Sequence, residues 1–397
     1  MKFTKIAVAV AATLAGMAAQ AQTANVTVYG SIRIGPEIVR VSGPGASNRT
    51  TAIDNVSSRW GLRGSESLGG GLNAIFQVES GFGSDNGNGG SITTAPGVTA
   101  FQLFSREAWV GLNGGFGEVK LGYGLTPYDD VLGWAHHQGA NSWENRNNGL
   151  SAGAGFAKAD LFTNYAGSNQ CRSSAFDARY GNSVSYQTPN MSGFVVRTQY
   201  SFIGEAASNS CNGWDTAIRY SQGPLRVGVA YARHDNFAGL GAITAVHDQD
   251  ALRAYASFNT GPVLIDGTYE TARYKPAAGS LKYKYWEIGA LVPLGANTFG
   301  VQYSARDKGL AALYNPATRG LSIPALTLTS ATFPTVNALW EKGGGKHLSF
   351  TWDYALSRRT QVRTSLTMLE NEATNTTTGL QGKSKIRALN AILWHNF

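Results

Sequence analysis

The sequence predicts an all-β fold, a 16-stranded antiparallel transmembrane β-barrel, on three observations. Segments with apolar residues at every second position recur from one end of the chain to the other, the period of a strand with one apolar and one polar face. Short turns rich in Gly, Pro and Asn alternate with long polar stretches, so one rim carries tight turns and the other long loops. No segment offers 18 consecutive apolar residues, so no helix is expected to cross a bilayer.

The start of the chain sets the compartment. Lys2 and Lys5 form a short basic opening, IAVAVAATLAGMAA an apolar run, and Ala19-Gln20-Ala21 a small-x-small cleavage site. Residues 1–21 therefore read as a secretory signal peptide, and residues 22–397 as one barrel domain. A permanent N-terminal anchor is the alternative, and the run is short for it.

Composition agrees with many strands and loops. The 397 residues include 49 glycines, 17 tyrosines, 17 phenylalanines and only 2 cysteines, with a net charge of +8 and a slightly negative mean hydropathy. This is neither a disulfide scaffold nor a helical enzyme.

In chain order, NVTVYGSIRI places Val26, Val28, Ile32 and Ile34 on one face and Thr27, Tyr29, Ser31 and Arg33 on the other. FVVRTQYSF sets Phe194, Val196, Thr198, Tyr200 and Phe202 against Val195, Arg197, Gln199 and Ser201. HLSFTWDYAL sets Leu348, Phe350, Trp352, Tyr354 and Leu356 against His347, Ser349, Thr351 and Asp353. Strands are predicted to begin near residues 26, 57, 72, 102, 118, 180, 194, 214, 225, 250, 263, 282, 298, 347, 360 and 386. Long polar stretches lie around 83–100, 126–178, 203–213, 235–249, 307–346 and 371–384. An even strand count with this asymmetry of connections is that of an outer-membrane barrel. A soluble sandwich needs more apolar sequence for two packed inner faces.

The final AILWHNF puts Ala391, Leu393 and Phe397 on one parity, with His395 between them. As the last barrel strand it would pair with the first near NVTVYG, which removes the exposed edges of the sheet. Phe397 would then face lipid at the periplasmic rim. Cys171 and Cys211 lie almost equally far from the turn TPNMSG, so flanking strands would bring them to one end. In an oxidising compartment this favours a disulfide; two free thiols are the alternative, separable by thiol labelling of the denatured, unreduced protein.

Several hairpins resemble a known family. SSRWGLRGSESLGGGLNAIFQVESGF, REAWVGLNGGFGEVKLGYGLTPYDD, ARYGNSVSYQTPNMSGFVV and the C-terminal aromatic are similar to segments of trimeric general porins of Gram-negative bacteria, of the neisserial and β-proteobacterial kind. The likeness spans nearly all of residues 22–397. It implies a homotrimer of 16-stranded barrels and a third loop folded inward to narrow the pore. It also implies a terminal Phe read by the barrel-assembly machinery. Two positions depart from the pattern: Arg33 stands where relatives often have an acidic residue, and Trp394 where a basic residue is often seen.

A barrel of this size encloses water, so function resides on the inward face. Parity turns Trp60 and Leu62 outward and Arg59 and Arg63 inward; likewise Lys120, Arg179, Arg197, Arg219 and Arg253 inward. Arg106 is assigned inward because Trp109 suits the other face. The resemblance adds that Arg59, Arg106 and Arg179 match basic positions of the family's constriction wall. Together with Arg33, Arg63 and Lys120 they would focus positive potential and concentrate anions. Each arginine alone is equally compatible with solvated lining or half of an ion pair. Opposite them the third loop, roughly Thr126 to Ala178, offers Asp129, Asp130 and Glu144 for a transverse field, with Arg146 and Lys158 on the same loop.

Enzyme readings find no support in motifs. His136 and His137 are adjacent and on a strand would point to opposite faces, and no His, Cys and carboxylate set has metal-ligand spacing. No G-x-S-x-G or phosphate-binding loop is present. The expected function is passive diffusion of small hydrophilic solutes and ions through the outer membrane of a Gram-negative bacterium, with anion preference. No cofactor, metal or nucleic acid is expected, and the partners are lipid, anionic or neutral solutes and further copies of the chain. A channel specific for an anionic metabolite is the first alternative, and an outer-membrane hydrolase or adhesin the second.

Overall fold

The computed structural model describes residues 25–43, 46–87, 91–95, 98–101, 103–129, 176, 179–202, 212–238, 246–275, 281–307, 313–315, 320–322, 342–374 and 381–397. Alternating sequence becomes a wall of sixteen staves. They are β1 (Asn25–Gly43), β2 in two segments (Ala46–Asn55 and Arg59–Gly69), β3 (Leu72–Gly81), β4 (Glu107–Gly114) and β5 (Gly117–Leu125). Next come β6 (Arg179–Gln187), β7 (Phe194–Phe202), β8 (Asn212–Gln222), β9 (Leu225–Ala238), β10 (Val246–Asn259) and β11 (Leu264–Lys275). The last are β12 (Leu281–Leu294), β13 (Asn297–Arg306), β14 (Lys342–Ala355), β15 (Thr360–Thr374) and β16 (Gln381–Asn396). Each pairs antiparallel with the next, and β16 pairs back onto β1. The barrel is closed, so no strand edge is left to seek a partner.

The two faces differ as the alternation requires. Val28, Trp214, Ile288 and Leu393 point outward and are exposed, whereas Gln199, Ser201, Ser349 and Thr367 on the opposite face are enclosed by the barrel. Outward aromatics pair near both ends of the apolar band: Trp286 with Tyr303 and Trp214 with Tyr231 toward the long-loop rim, and Trp352 with Tyr354 toward the tight-turn rim. Such girdles suit headgroup depth, where a ring is half wet. Tight turns are made by residues that tolerate the left-handed region. Gly69, Gly70 and Gly71 have φ of 85°, 61° and 80°, a run that a side chain would strain.

The seam is closed by the chain's own last residue. Phe397 and Gly30 exchange both backbone hydrogen bonds, at 3.1 and 3.2 Å. A Cβ on Gly30 would lie 2.5 Å from Cζ of the Phe397 ring. The ring therefore occupies the notch that the missing side chain leaves, outward and exposed.

Three boundaries differ from the sequence expectation. The strand expected near 102 begins at Glu107, because Val98–Phe101 pairs with Ser91–Ala95 in a separate hairpin. The strand expected near 57 begins at Ala46 and is interrupted at Val56 to Ser58, where Ser57 adopts φ 57°. β9, β10, β14, β15 and β16 also run on into stretches that look like loops. Their outward residues there include Asp235, Asp248, Lys346 and Lys385; the apolar pattern stops while backbone pairing continues.

Candidate functional site

The break in β2 shapes the first part of the inward wall. Val56 N–H donates to the Arg33 carbonyl at 2.9 Å, and Arg33 N–H donates to Ser58 Oγ at 3.0 Å. Arg33 is thereby fixed facing inward, its Nε donating to Ser31 Oγ at 3.2 Å and its guanidinium lying over the Trp394 ring. The same ring meets Arg363 of β15 at 5.6 Å, and Arg363 Nε donates to Asp353 at 2.5 Å.

Next along the wall, Glu79 of β3 binds two guanidiniums. Arg106 Nε donates to its Oε1 at 2.5 Å and Arg59 Nε lies 3.7 Å from Oε2, which also accepts the Tyr29 hydroxyl at 3.1 Å. Glu107 at the start of β4 does the same for the next group. Arg179 Nε is 3.7 Å away, and the Trp109 indole N–H and Leu125 N–H donate to the two oxygens at 3.0 and 3.3 Å. Arg197 completes the wall by donating to the Leu125 carbonyl at 2.9 Å.

Arg33, Arg59, Arg106, Arg179, Arg197 and Arg363 thus face the lumen beside three carboxylates, Glu79, Glu107 and Asp353. The surplus is positive. In a narrow passage with low-dielectric walls such a surplus concentrates anions. A hollow of about 170 Å³ lies beside it, lined among others by Gln77, Glu107, Trp109, Lys120, Arg197 and Gln199.

The reason given for Arg106 needs correction. Trp109 shares the inward face, stacked under Lys120 Nζ at 4.1 Å, while Ala108, Val110 and Leu112 take the other face of β4. Arg106 precedes the strand, where parity does not apply. It is aimed inward by the turn, its N–H donating to the Glu79 carbonyl at 3.0 Å. At β6 a register shift opposite Gly122 and Gly124 lets Tyr180 turn inward as well as Arg179.

Other predicted residues lie apart from the wall. Arg63 reaches the Tyr29 ring at 5.1 Å, Lys120 pairs with Glu118 at 2.6 Å and Arg219 donates to Gln187 at 3.2 Å, all toward the tight-turn rim. Asp129 N–H donates to Thr126 Oγ1 at 3.2 Å, which caps the turn that opens the third loop. Asp130, Glu144, Arg146, Lys158, Cys171 and Cys211 lie outside the described residues.

Arg253 has a different part. With Glu270 it forms a buried pair on β10 and β11. The pair clasps Tyr128, whose hydroxyl donates to Glu270 at 3.0 Å, whose carbonyl accepts Arg253 NH1 at 3.0 Å and whose ring lies 4.1 Å from the guanidinium. The first residues of the third loop therefore run inward to the far wall. Phe176, near the loop's end, stacks on His234 of β9 at 5.3 Å.

The far wall also supplies the carboxylates that sequence reasoning placed only on the loop. Asp215, Asp266, Glu270 and Glu287, on β8, β11 and β12, all face inward and are buried. Their signal was present: each sits on the polar parity of an alternating strand. Glu79 and Glu107 were missed in the same way, because attention to cations passed over the acids between them.

The comparisons agree with this architecture. A family model described as Gram-negative porin matches residues 7–374. Outer membrane porin protein 32 of Delftia acidovorans is 31% identical over 318 residues, 78% of this chain and 81% of that one. Major outer membrane protein P.IB of Neisseria meningitidis serogroup B is 27% identical over 358 residues, 85% and 94% of the two chains. Among solved structures, an anion-selective porin from Comamonas acidovorans superposes with a TM-score of 0.66 at 22% identity, covering 94% of this chain and all of that one.

Proposed function

Since the chain belongs to the Gram-negative porin family, we propose that it forms an outer-membrane channel for passive diffusion of small hydrophilic solutes, with a preference for anions set by the guanidinium wall. The observation that carries the reading is the inward succession from Arg363 through Arg33, Arg59, Arg106 and Arg179 to Arg197, which three neighbouring carboxylates only partly offset. Selectivity requires no covalent chemistry. A permeating anion exchanges part of its hydration for these donors, which are held by neighbours and so need little rearrangement. Carboxylates at Asp215, Glu270 and Glu287 on the opposite wall give a field across the lumen that orients dipolar solutes.

Residues 1–21 are proposed as a cleaved export signal, and the hairpins that resemble trimeric porins support a homotrimer. Phe397, paired with Gly30 on the outward side, is proposed as the element that the barrel-assembly machinery engages.

The test is reconstitution of the mature protein in a planar bilayer with a salt gradient. Conductance appearing in threes, with a reversal potential set by anions, is the expected result. Replacing Arg59 and Arg106 together with glutamine should move the reversal potential toward cations with little change in conductance. A selectivity unaltered in that double variant overturns the role of the wall.

A further inference from the structure

A second basic feature lies on the opposite side of the sheet. Arg49 of β2, Arg40 of β1 and Arg387 of β16 stand directly opposite one another across three adjacent strands, with Arg40 paired in register to both neighbours. All three are exposed on the outward face. Like charges directly opposite in a sheet repel and cost stability. No described carboxylate pairs with any of them. Their neighbours do not relieve the charge, because Glu370 lies between Lys346 and Lys385 in the register and binds Lys385 at 2.7 Å.

The height of the row follows from the strands. Arg387 is ten residues from Phe397 and Arg40 ten from Gly30, about 33 Å along a strand. With the tilt of a membrane barrel this is about 25 Å of height, the depth of its apolar band. The row therefore sits at the interface opposite the seam's aromatic end. Outward Ile38, Ile53, Met368 and Leu389 lie just beneath it, an apolar surface under a cationic one.

We infer that this row is a binding site for a phosphate-bearing lipid of the outer leaflet. The planar, multi-donor guanidinium matches a phosphate's oxygens, and acyl chains would lie along the apolar strip below. A second copy of the chain is a poorer occupant, since it brings a net charge of +8 to a surface already cationic. The inference rests on the outer-membrane barrel and is independent of ion preference in the lumen.

Native mass spectrometry of the full protein released from mild detergent tests it, with phosphatidic acid as probe and phosphatidylcholine and inorganic phosphate as comparisons. Arg40→Gln with Arg387→Gln should weaken phosphatidic acid retention about tenfold or more, whereas Arg358→Gln with Arg359→Gln at the opposite rim should not. Arg40→Lys with Arg387→Lys, which keeps charge but loses the fork, should fall between. Excess inorganic phosphate should leave bound lipid in place. Undiminished retention in the glutamine variant, equal retention of phosphatidylcholine, or displacement by inorganic phosphate overturns the site. Loss of trimer at unchanged lipid count would assign the row to a neighbouring copy instead. If the glutamine variant does not fold, the lysine variant and the phosphate competition on the unaltered protein decide the question by themselves.

Discussion

The guanidinium of Arg33 lies 3.6 Å from the centroid of the Trp394 ring, directly opposite it in the register that joins the first strand to the last. These are the two positions at which the chain departs from the family pattern, and they touch. The resemblance implies an acid and a base facing each other there. Here a cation over an aromatic face holds the seam while leaving the lumen one positive charge richer.

Trp394→Leu should therefore destabilise the barrel by about 1 kcal/mol through lost cation–π contact, beyond what the smaller side chain alone removes. Urea unfolding followed by gel mobility measures it. The double variant with Arg33→Leu should be less than additive, and strict additivity would mean the contact contributes nothing.

Deleting Phe397 removes two hydrogen bonds to Gly30, each worth about 1 kcal/mol. Gly30→Val should act similarly, since its side chain would strike the ring. Both variants should show a reduced fraction of heat-modifiable, folded barrel on refolding into detergent; a wild-type fraction for both would remove this pair from the closure of the barrel.

Glu79→Gln takes away the carboxylate shared by Arg59 and Arg106. Anion over cation permeability should rise, on the order of twofold, at nearly constant pore dimensions. Reversal potentials in a salt gradient read this directly, and a shift toward cations contradicts it.

Arg253→Met leaves Glu270 buried without its cation, a change that typically costs 3–5 kcal/mol in protein interiors. Tyr128 loses its clasp at the same time. Single-channel records should become noisier as the entry of the third loop comes free, whereas Tyr128→Phe, which gives up only the hydroxyl bond to Glu270, should be milder. Quiet traces in the Arg253 variant would show that the loop is held elsewhere.

Faces were legible in the sequence wherever an apolar phase acts on every second residue. Ile32 and Ser31, or Phe350 and Ser349, could be placed without coordinates for that reason. Arg106 could not be placed on sound grounds, because its direction is set by a turn and by Glu79, and parity has no meaning before a strand starts. Tyr180 escaped for a related reason, since a register shift reverses faces locally. The extra length of β9, β10 and β14 to β16 was hidden because lipid no longer selects apolar residues at that height. The Arg253, Glu270 and Tyr128 clasp joins residues more than a hundred positions apart, beyond the reach of any local pattern.

The pairing of Gly30 with Phe397 also bears on how the protein is made. Every other joint in the ring links strands that follow one another along the chain, so hairpins can form as their sequence becomes available. This one joint spans almost the whole chain, and the cost of bringing distant ends together grows with the logarithm of their separation. Until it forms, the nascent sheet has two open borders, each a template for a wrong neighbour. Residues at the seam are thus expected to govern the lifetime of that open sheet, and variants there should be counted first in aggregate and only afterwards in melting temperature.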